Sequence, residues 1–259
     1  MTRGRILVDS LARGVTLQAD GKLQLDNGNP LLDEPRWLSP VTGTVYGVAL
    51  NHRSLVEALS AAFEDAPYKT APKTPVLFIK TRNTQIGHGA AIPFPAGVER
   101  IQAGGALGVV IGQRTRKVSV AEALNYVEGY TVVNEVSLPE DSFYRPAVKA
   151  KCRDGFCPIG PWVIDAKEID PAALEIRTYV NDELRETSNT AELVRGVAQL
   201  IAELSQFMTL EPGDLIIAGT PLRSVDLKPG DVVTVAIDGI GRLENPVVFE
   251  TAIAEELAQ

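Results

Sequence analysis

The sequence predicts a strand-dominated α+β fold, on three observations. Short apolar runs rich in β-branched residues recur along the chain, among them VYGVAL, VLFIK, LGVVI, YTVVNEV, PWVID and LEIRTYV. Only a few stretches carry a helical stripe, and they do not alternate with strands in the βαβ rhythm of a doubly wound sheet. Turn signals are frequent: EPGDLIIAG and KPGDVVTVA each run a Pro-Gly turn into an apolar strand. The repeat is too short for a solenoid period and reads as one good turn used twice.

Residues 1–42 are expected to form a small β element and residues 43–259 the main domain, with no Gly/Ser-rich linker between them. In the first, QADGKLQLDNGNP sets Asp-Gly and Asn-Gly around an alternating stretch, and both dipeptides favour tight hairpins. VYGVAL (45–50) is a strand, SLVEALSAAFEDA (54–66) a helix, and VLFIK (76–80) a strand followed by a glycine-bearing loop through His88. The strand from Leu107 to Ile111 is odd at its mouth: Gly104, Gly105 and Ala106 lead into it with no side chain larger than a methyl. Ser119 and Glu122 form a Ser-x-x-Glu capping box that opens a short helix, SVAEALNYV. After three more strands comes the longest expected helix, about residues 190–207. There Leu193, Val197, Leu200, Leu204 and Phe207 are spaced four, three, four, three, so one stripe faces a core. Asn189, with Glu192 three residues on, is its expected cap.

Composition narrows the function. A chain of 259 residues, 45% hydrophobic and 22% charged, is ordinary globular protein. A formal net charge of −8 argues against a nucleic-acid partner, which needs a basic face. No apolar run approaches the ~20 residues of a membrane helix, and the N-terminus reaches Asp9 before any signal-like segment develops. A cytoplasmic protein with no membrane partner is expected. Cys152 and Cys157 are too far apart for a redox pair, and neither His52 nor His88 stands at zinc-ligand spacing from them, so two reduced thiols are expected.

One stretch concentrates positive charge. In FYRPAVKAKCRDGFCPIGPW, Lys149, Lys151 and Arg153 alternate with Val148, Ala150 and Cys152, and Arg145 lies just upstream. Read as a strand, this puts three cations on one face, where like charges call for a bound anion or for carboxylate side chains opposite. GTPLRS (219–224) follows the strand DLIIA, so backbone N–H groups and the Thr220 hydroxyl are offered at a strand exit. His88 is a candidate acid/base group or simply a structural residue of its loop. No P-loop, GxGxxG, GxSxG or HExxH pattern is present.

Taken in order, VYGVALNHRS, FIKTRNTQIG, LGVVIG with VEGYTVVNEVS, YRPAVKAKCRDGFCPIGPW, and LEPGDLIIAGTP with LENPVV resemble the fumarylacetoacetate hydrolase family over about residues 45–250. The likeness is strongest to the N-terminal half of the two-repeat isomerase/decarboxylase branch that serves homoprotocatechuate (4-hydroxyphenylacetate) degradation. It implies a mixed β-roll, an oligomer, and small dicarboxylate 2-oxo acids of the 2-oxo-heptenedioate type as substrates. It also implies Mg²⁺ or Mn²⁺ held by three carboxylates, which chelates the substrate's 1-carboxylate and 2-oxo oxygens and stabilises an enolate.

The same resemblance locates departures. The family's Glu-x-Glu falls at Gly104 and Ala106, and its third ligand, an Asp, falls at Glu135. The family's His and Glu dyad, four and seven residues beyond Asn51, falls at Leu55 and Ala58; Glu57 misses by one position, about 100° on a helix. Arg223 replaces the second glycine of the GTP-x-Gly motif. The positions carried over are Glu135 and Lys151 as catalytic residues, and Asn51, Arg145, Lys151 and Thr220 as substrate-binding residues. The implied protein binds no metal by itself and is a subunit of an isomerase/decarboxylase whose metal-bearing paralogue is a separate chain. Two alternatives stay open: a non-catalytic structural or regulatory partner of such a paralogue, and a metal-independent oxo-acid enzyme using Lys151, Arg145 and Glu135. A homo-oligomer is equally compatible.

Overall fold

The computed structural model describes every residue except 1, 30, 32–33, 67, 141–145, 223 and 252–259. Its strands gather into a ten-stranded and a five-stranded mixed sheet, with two short strand pairs beside them. The large sheet runs Leu23–Leu25, Leu11–Leu17, Arg3–Val8, Trp162–Asp165, Val127–Asn134, Gly105–Ile111, Leu215–Ile217, Val45–Ala49 and Val76–Lys80, with Arg36–Leu38 also on Arg3–Val8. The small sheet runs Glu183–Asn189, Glu175–Val180, Val232–Ile237, Gly241–Phe249 and Ile92–Phe94. Arg3 pairs in register with Val163, so the N-terminal hairpins join the large sheet directly.

The central strand Gly105–Ile111 is buried at every position, as a continuous apolar run between two covered faces should be. Leu107, Val109 and Ile111 share a core with Ile176, Val235 and Leu243 of the small sheet and with Leu200, Ile201 and Leu204. The sheets approach closely at Gly105, where a Cβ would lie 2.6 Å from the Thr178 hydroxyl. The two Pro-Gly phrases fold alike. Gly213 and Gly230 take positive φ (88° and 91°), and the following Asp214 and Asp231 each accept a backbone N–H three residues back, from Glu211 and Lys228, at 2.9 Å.

The described residues contain three α-helices: α1 (Arg53–Ala58), α2 (Val148–Lys151) and α3 (Val197–Phe207). Each expected helix is shorter than its pattern. The segment 54–66 ends α1 early and tightens into a 3₁₀ turn, Ala61–Phe63, that buries Phe63. Ser119 spends its hydroxyl on the Glu122 carboxylate (2.7 Å) instead of capping a backbone N–H, and only a 3₁₀ turn, Ala123–Tyr126, follows. The 190–207 segment is a 3₁₀ turn capped by Asn189, then a break, then α3. Asn51 makes that break: its carbonyl and side-chain oxygen take the N–H groups of Val194 (2.9 Å) and Arg195 (3.0 Å) that a continuous helix would use. Of the expected stripe, Phe207 is exposed.

The cationic stretch is also not a strand. Lys151 N donates to Ala147 O and Cys152 N to Val148 O, both at 2.9 Å, which makes α2 a single helical turn. Residues two apart on a helix point about 200° away from each other. Lys151 is accordingly buried, while Lys149 is exposed and its carbonyl takes a bond from Arg153 Nε.

Candidate active site

Glu135 follows the last residue of the strand Val127–Asn134, and its N–H bonds to Gly104 O at 2.8 Å. That bond turns the carboxylate inward, where it is 5% exposed. Lys151 Nζ donates to Glu135 Oε2 at 2.9 Å and lies 2.9 Å from Glu140 Oε2. From the other side Lys80, at the inward-facing end of its strand, brings Nζ to 2.6 Å from Glu135 Oε1. The three protons of Lys80 go to the carbonyls of Val136 (2.5 Å), Lys151 (3.0 Å) and Phe156 (2.9 Å). Glu135 Oε1 therefore rests against an ammonium with no N–H aimed at it. The result is a row of alternating charge, buried from Lys80 through Glu135 to Lys151 and half-buried at Glu140.

This row fixes its protonation states. Burial alone would raise the Glu135 carboxyl, but attraction from Lys151 and Lys80 and the hydrogen bond from Lys151 hold its pKa below the ordinary value. Burial alone would lower Lys151, but Glu135 and Glu140 outweigh it and keep its pKa above the ordinary value. Lys151 also lies 4.6 Å from the Phe78 ring centroid. Glu135 is thus an anion and Lys151 a cation at neutral pH.

A cavity of about 540 Å³ opens on this row. Glu135, Glu140, Lys151 and Ser137 form a polar part, and Ala49, Leu55, Leu59 and Phe78 an apolar part. Thr220 and Pro221 of the GTP stretch, with Gln102, Asp226 and Arg185, also line it. Asp226 is held by Gln102 (2.9 Å) and Arg100 (3.2 Å).

The structure brings Glu135, Lys151 and Thr220 together around one cavity. Asn51 is not among its lining residues. The Asn51 amide donates to Ala218 O (2.7 Å) and Arg195 O (3.0 Å), so the side chain braces the chain behind the site and has no donor left for a substrate. Arg145 and Arg223 lie outside the described residues. Leu55 faces the cavity where the resemblance implies a histidine, while Ala58 and Glu57 are exposed. His88 is structural here: its Nδ1 accepts the Glu244 N–H at 3.1 Å. Both cysteines are free, and burial pushes the Cys157 thiol up to about 12. Sequence reasoning missed Lys80 and Glu140. Lys80 did leave a signal, since at a period of two it shares the inward face of Phe78 in VLFIK; Glu140, in an irregular stretch, left none.

The residues present do not fit a divalent cation. Of the three positions that the resemblance gives to ligands, Gly104 is closed over: a Cβ there would lie 2.9 Å from Thr220 Cγ2 and 3.1 Å from Glu135 O. Ala106 is fully buried among apolar neighbours that include Val133, Cys157 and Ile159. Glu135 already faces two ammonium groups. Among the described residues no group of three or more His, Cys, Asp or Glu stands where it could hold a metal ion, whereas Mg²⁺ takes its protein donors from carboxylates.

Two mixed sheets carrying a charged cavity at their strand exits define the class, and comparison with known proteins identifies it. The fumarylacetoacetate (FAA) hydrolase C-terminal family profile matches residues 44–248, and the chain belongs to this family. The 4-hydroxyphenylacetate degradation bifunctional isomerase/decarboxylase of Escherichia coli is 50% identical over 211 residues, 82% of this chain but 48% of that protein. The chain thus spans about half the length of the curated relatives it matches first. Among solved structures, a 5-carboxymethyl-2-hydroxymuconate delta-isomerase from Mycobacterium smegmatis is 32% identical, with a TM-score of 0.81 over 96% of this chain and 99% of that one. Fumarylpyruvate hydrolase from Pseudomonas aeruginosa, solved with Mn²⁺ and pyruvate, is 26% identical, with a TM-score of 0.69 over 85% and 93%.

Proposed function

We propose that this chain is a subunit of an isomerase/decarboxylase acting on 2-oxo-heptenedioate-type products of homoprotocatechuate degradation, and that a separate metal-bearing relative supplies the metal. The observation that carries this is the match to half of a bifunctional isomerase/decarboxylase at 50% identity, in a chain whose own cavity keeps a substrate-facing lysine but no metal cage. In this reading Lys151 holds a substrate carboxylate. Two of its protons serve Glu135 and Glu140, and the ammonium lines the cavity beside the Phe78 ring. Glu135 keeps that ammonium charged and oriented, and Thr220 contributes a hydroxyl at the wall. The metal of the family, where bound, supplies Lewis-acid stabilisation of an enolate; no carboxylate set for it stands here, so no step is assigned to it in this chain.

Two observations favour a second reading, a non-catalytic partner of the metal-bearing relative. Leu55 occupies the cavity wall where an acid/base group is needed, and the bonding capacity of Asn51 is spent on the backbone. The test is turnover. The purified chain, given the heptenedioate substrate and millimolar Mg²⁺, is expected to show negligible decarboxylation or isomerisation alone, and turnover should return when the co-purifying relative is added. Robust EDTA-sensitive turnover by the single chain would overturn both readings. If turnover of the relative alone equals that of the mixture, the second reading replaces the first.

A further inference from the structure

We propose that Arg185 recognises the distal carboxylate of the ligand and makes this cavity selective for a diacid over a monoacid. This rests on the oxo-acid reading of the cavity given above, and adds to it a residue that neither the sequence motifs nor the resemblance pointed to.

Three observations carry it. The first is position. Arg185 lines the 540 Å³ cavity and also a neighbouring cavity of about 290 Å³, and the two share Pro221 and Leu222 as a common wall. The second is charge. Each carboxylate lining the larger cavity is already engaged: Glu135 and Glu140 by Lys151, and Asp226 by Arg100. Among the described lining residues the cations are Lys151 and Arg185. Lys151 is committed to two lining carboxylates, whereas Arg185 pairs with Glu183, outside the lining, at 3.2 Å. Both members of that pair are solvent-exposed, and such a pair is weak and readily exchanged for a ligand carboxylate.

The third observation is a bulge. Against Glu175–Val180, the edge strand Glu183–Asn189 pairs Glu186 with Thr178, and then Leu184 with Tyr179. An unbroken ladder would set Arg185 opposite Tyr179. Instead Arg185 is the extra residue, left without a cross-strand partner. A bulge of this kind bends the strand and re-aims the inserted side chain. The guanidinium is thereby presented at the junction of the two cavities, and its fork of donors matches a carboxylate bidentately. Leu55, Leu59, Phe78 and Val225 supply apolar wall for the carbon chain of a ligand whose 2-oxo-acid end meets Lys151.

A matched pair of ligands tests this. Calorimetry on the purified chain would compare 2-oxoheptanedioate with 2-oxoheptanoate, which differ only in the distal carboxylate. The wild type is expected to prefer the diacid by about ten- to a hundredfold, the range for a charge-assisted hydrogen-bonded pair. Arg185→Gln should erase that preference and leave the monoacid affinity unchanged, and Arg185→Lys should keep part of it. Equal diacid affinity in wild type and Arg185→Gln would overturn the proposal while leaving the oxo-acid reading intact. Equal weakening of both ligands by Arg185→Gln would also overturn it, since the residue would then act on cavity shape. A wild type that binds neither ligand would overturn the oxo-acid reading, and this proposal with it.

Discussion

At the scale of single residues, the site is governed by one carboxylate between two ammonium groups. Removing Glu135 leaves Lys80 buried without its carboxylate and Lys151 with Glu140 alone, and breaking a buried pair in this way typically costs about 3–5 kcal/mol. Glu135→Gln is therefore expected to lower stability at neutral pH by that order. It should also change the pH dependence, and the sign follows from the direction of the shift. Because the folded-state pKa of Glu135 lies below the ordinary 4.5, its contribution is complete above that value and is lost as pH falls through the depressed one. Wild type should thus lose stability steeply on acidification below about pH 4.5, and Glu135→Gln should lose less over the same interval. Urea unfolding at several pH values between neutrality and pH 3 would show it; parallel curves for the two proteins would refute the assignment. Lys80 belongs to the same unit, and the pattern of VLFIK offered it. A lysine on the face of an apolar strand occupied by Phe78 is a cation pointing inward, and an inward cation needs a carboxylate.

At the scale of elements, strands were far more legible than helices, and the reason is physical. The legible strands, such as Val45–Ala49, Val76–Lys80 and Gly105–Ile111, are short apolar runs bounded by turn chemistry, whereas the polar strand Glu183–Asn189 gave no such signal. The helices depend on where backbone N–H groups go, and distant side chains decide that. Asn51 is the clearest case: from 144 positions away it takes the Arg195 N–H, interrupts the expected 190–207 helix and delays α3 to Val197. The cationic stretch misleads in the same way, because its period-two alternation survives in a single helical turn that buries Lys151 and exposes Lys149. Asn51→Ala should leave the Ala218 and Arg195 carbonyls and the Arg195 N–H without that partner. With each unmet buried group costing about 1–3 kcal/mol, a loss of several kcal/mol is expected, measured by chemical denaturation. Asn51→Asp, which keeps the acceptor for Arg195 N–H but sets a carboxylate against two carbonyls, should not rescue it. If Asn51→Ala is as stable as wild type, the brace is not what shapes this corner.

At the scale of the whole molecule, the question is whether folding is linked to a metal. A ligand that binds only the native state raises its stability by mass action, by about 2.7 kcal/mol at a hundred times Kd. For a chain of this size that is a rise in Tm of roughly 5–10 °C. The wild type is expected to show no such rise with millimolar Mg²⁺ or Mn²⁺, because Glu135 is neutralised by Lys80 and Lys151. Rebuilding the cage by Gly104→Glu, Ala106→Glu and Glu135→Asp restores three carboxylates, the one at 106 starting among apolar neighbours. The new side chain at position 104 would start 2.9 Å from Thr220 Cγ2, so that triple variant carries a clash as well as charge repulsion. Adding Thr220→Ser removes the offending methyl and leaves the hydroxyl. The quadruple variant should therefore melt below wild type without metal, melt above the triple variant, and gain several degrees when Mn²⁺ is titrated in. A metal-dependent rise in the wild type would show that the lysines yield Glu135 to a cation. Absence of any rise in the folded quadruple variant would show that more than two lost carboxylates and one methyl separates this cavity from a metal site.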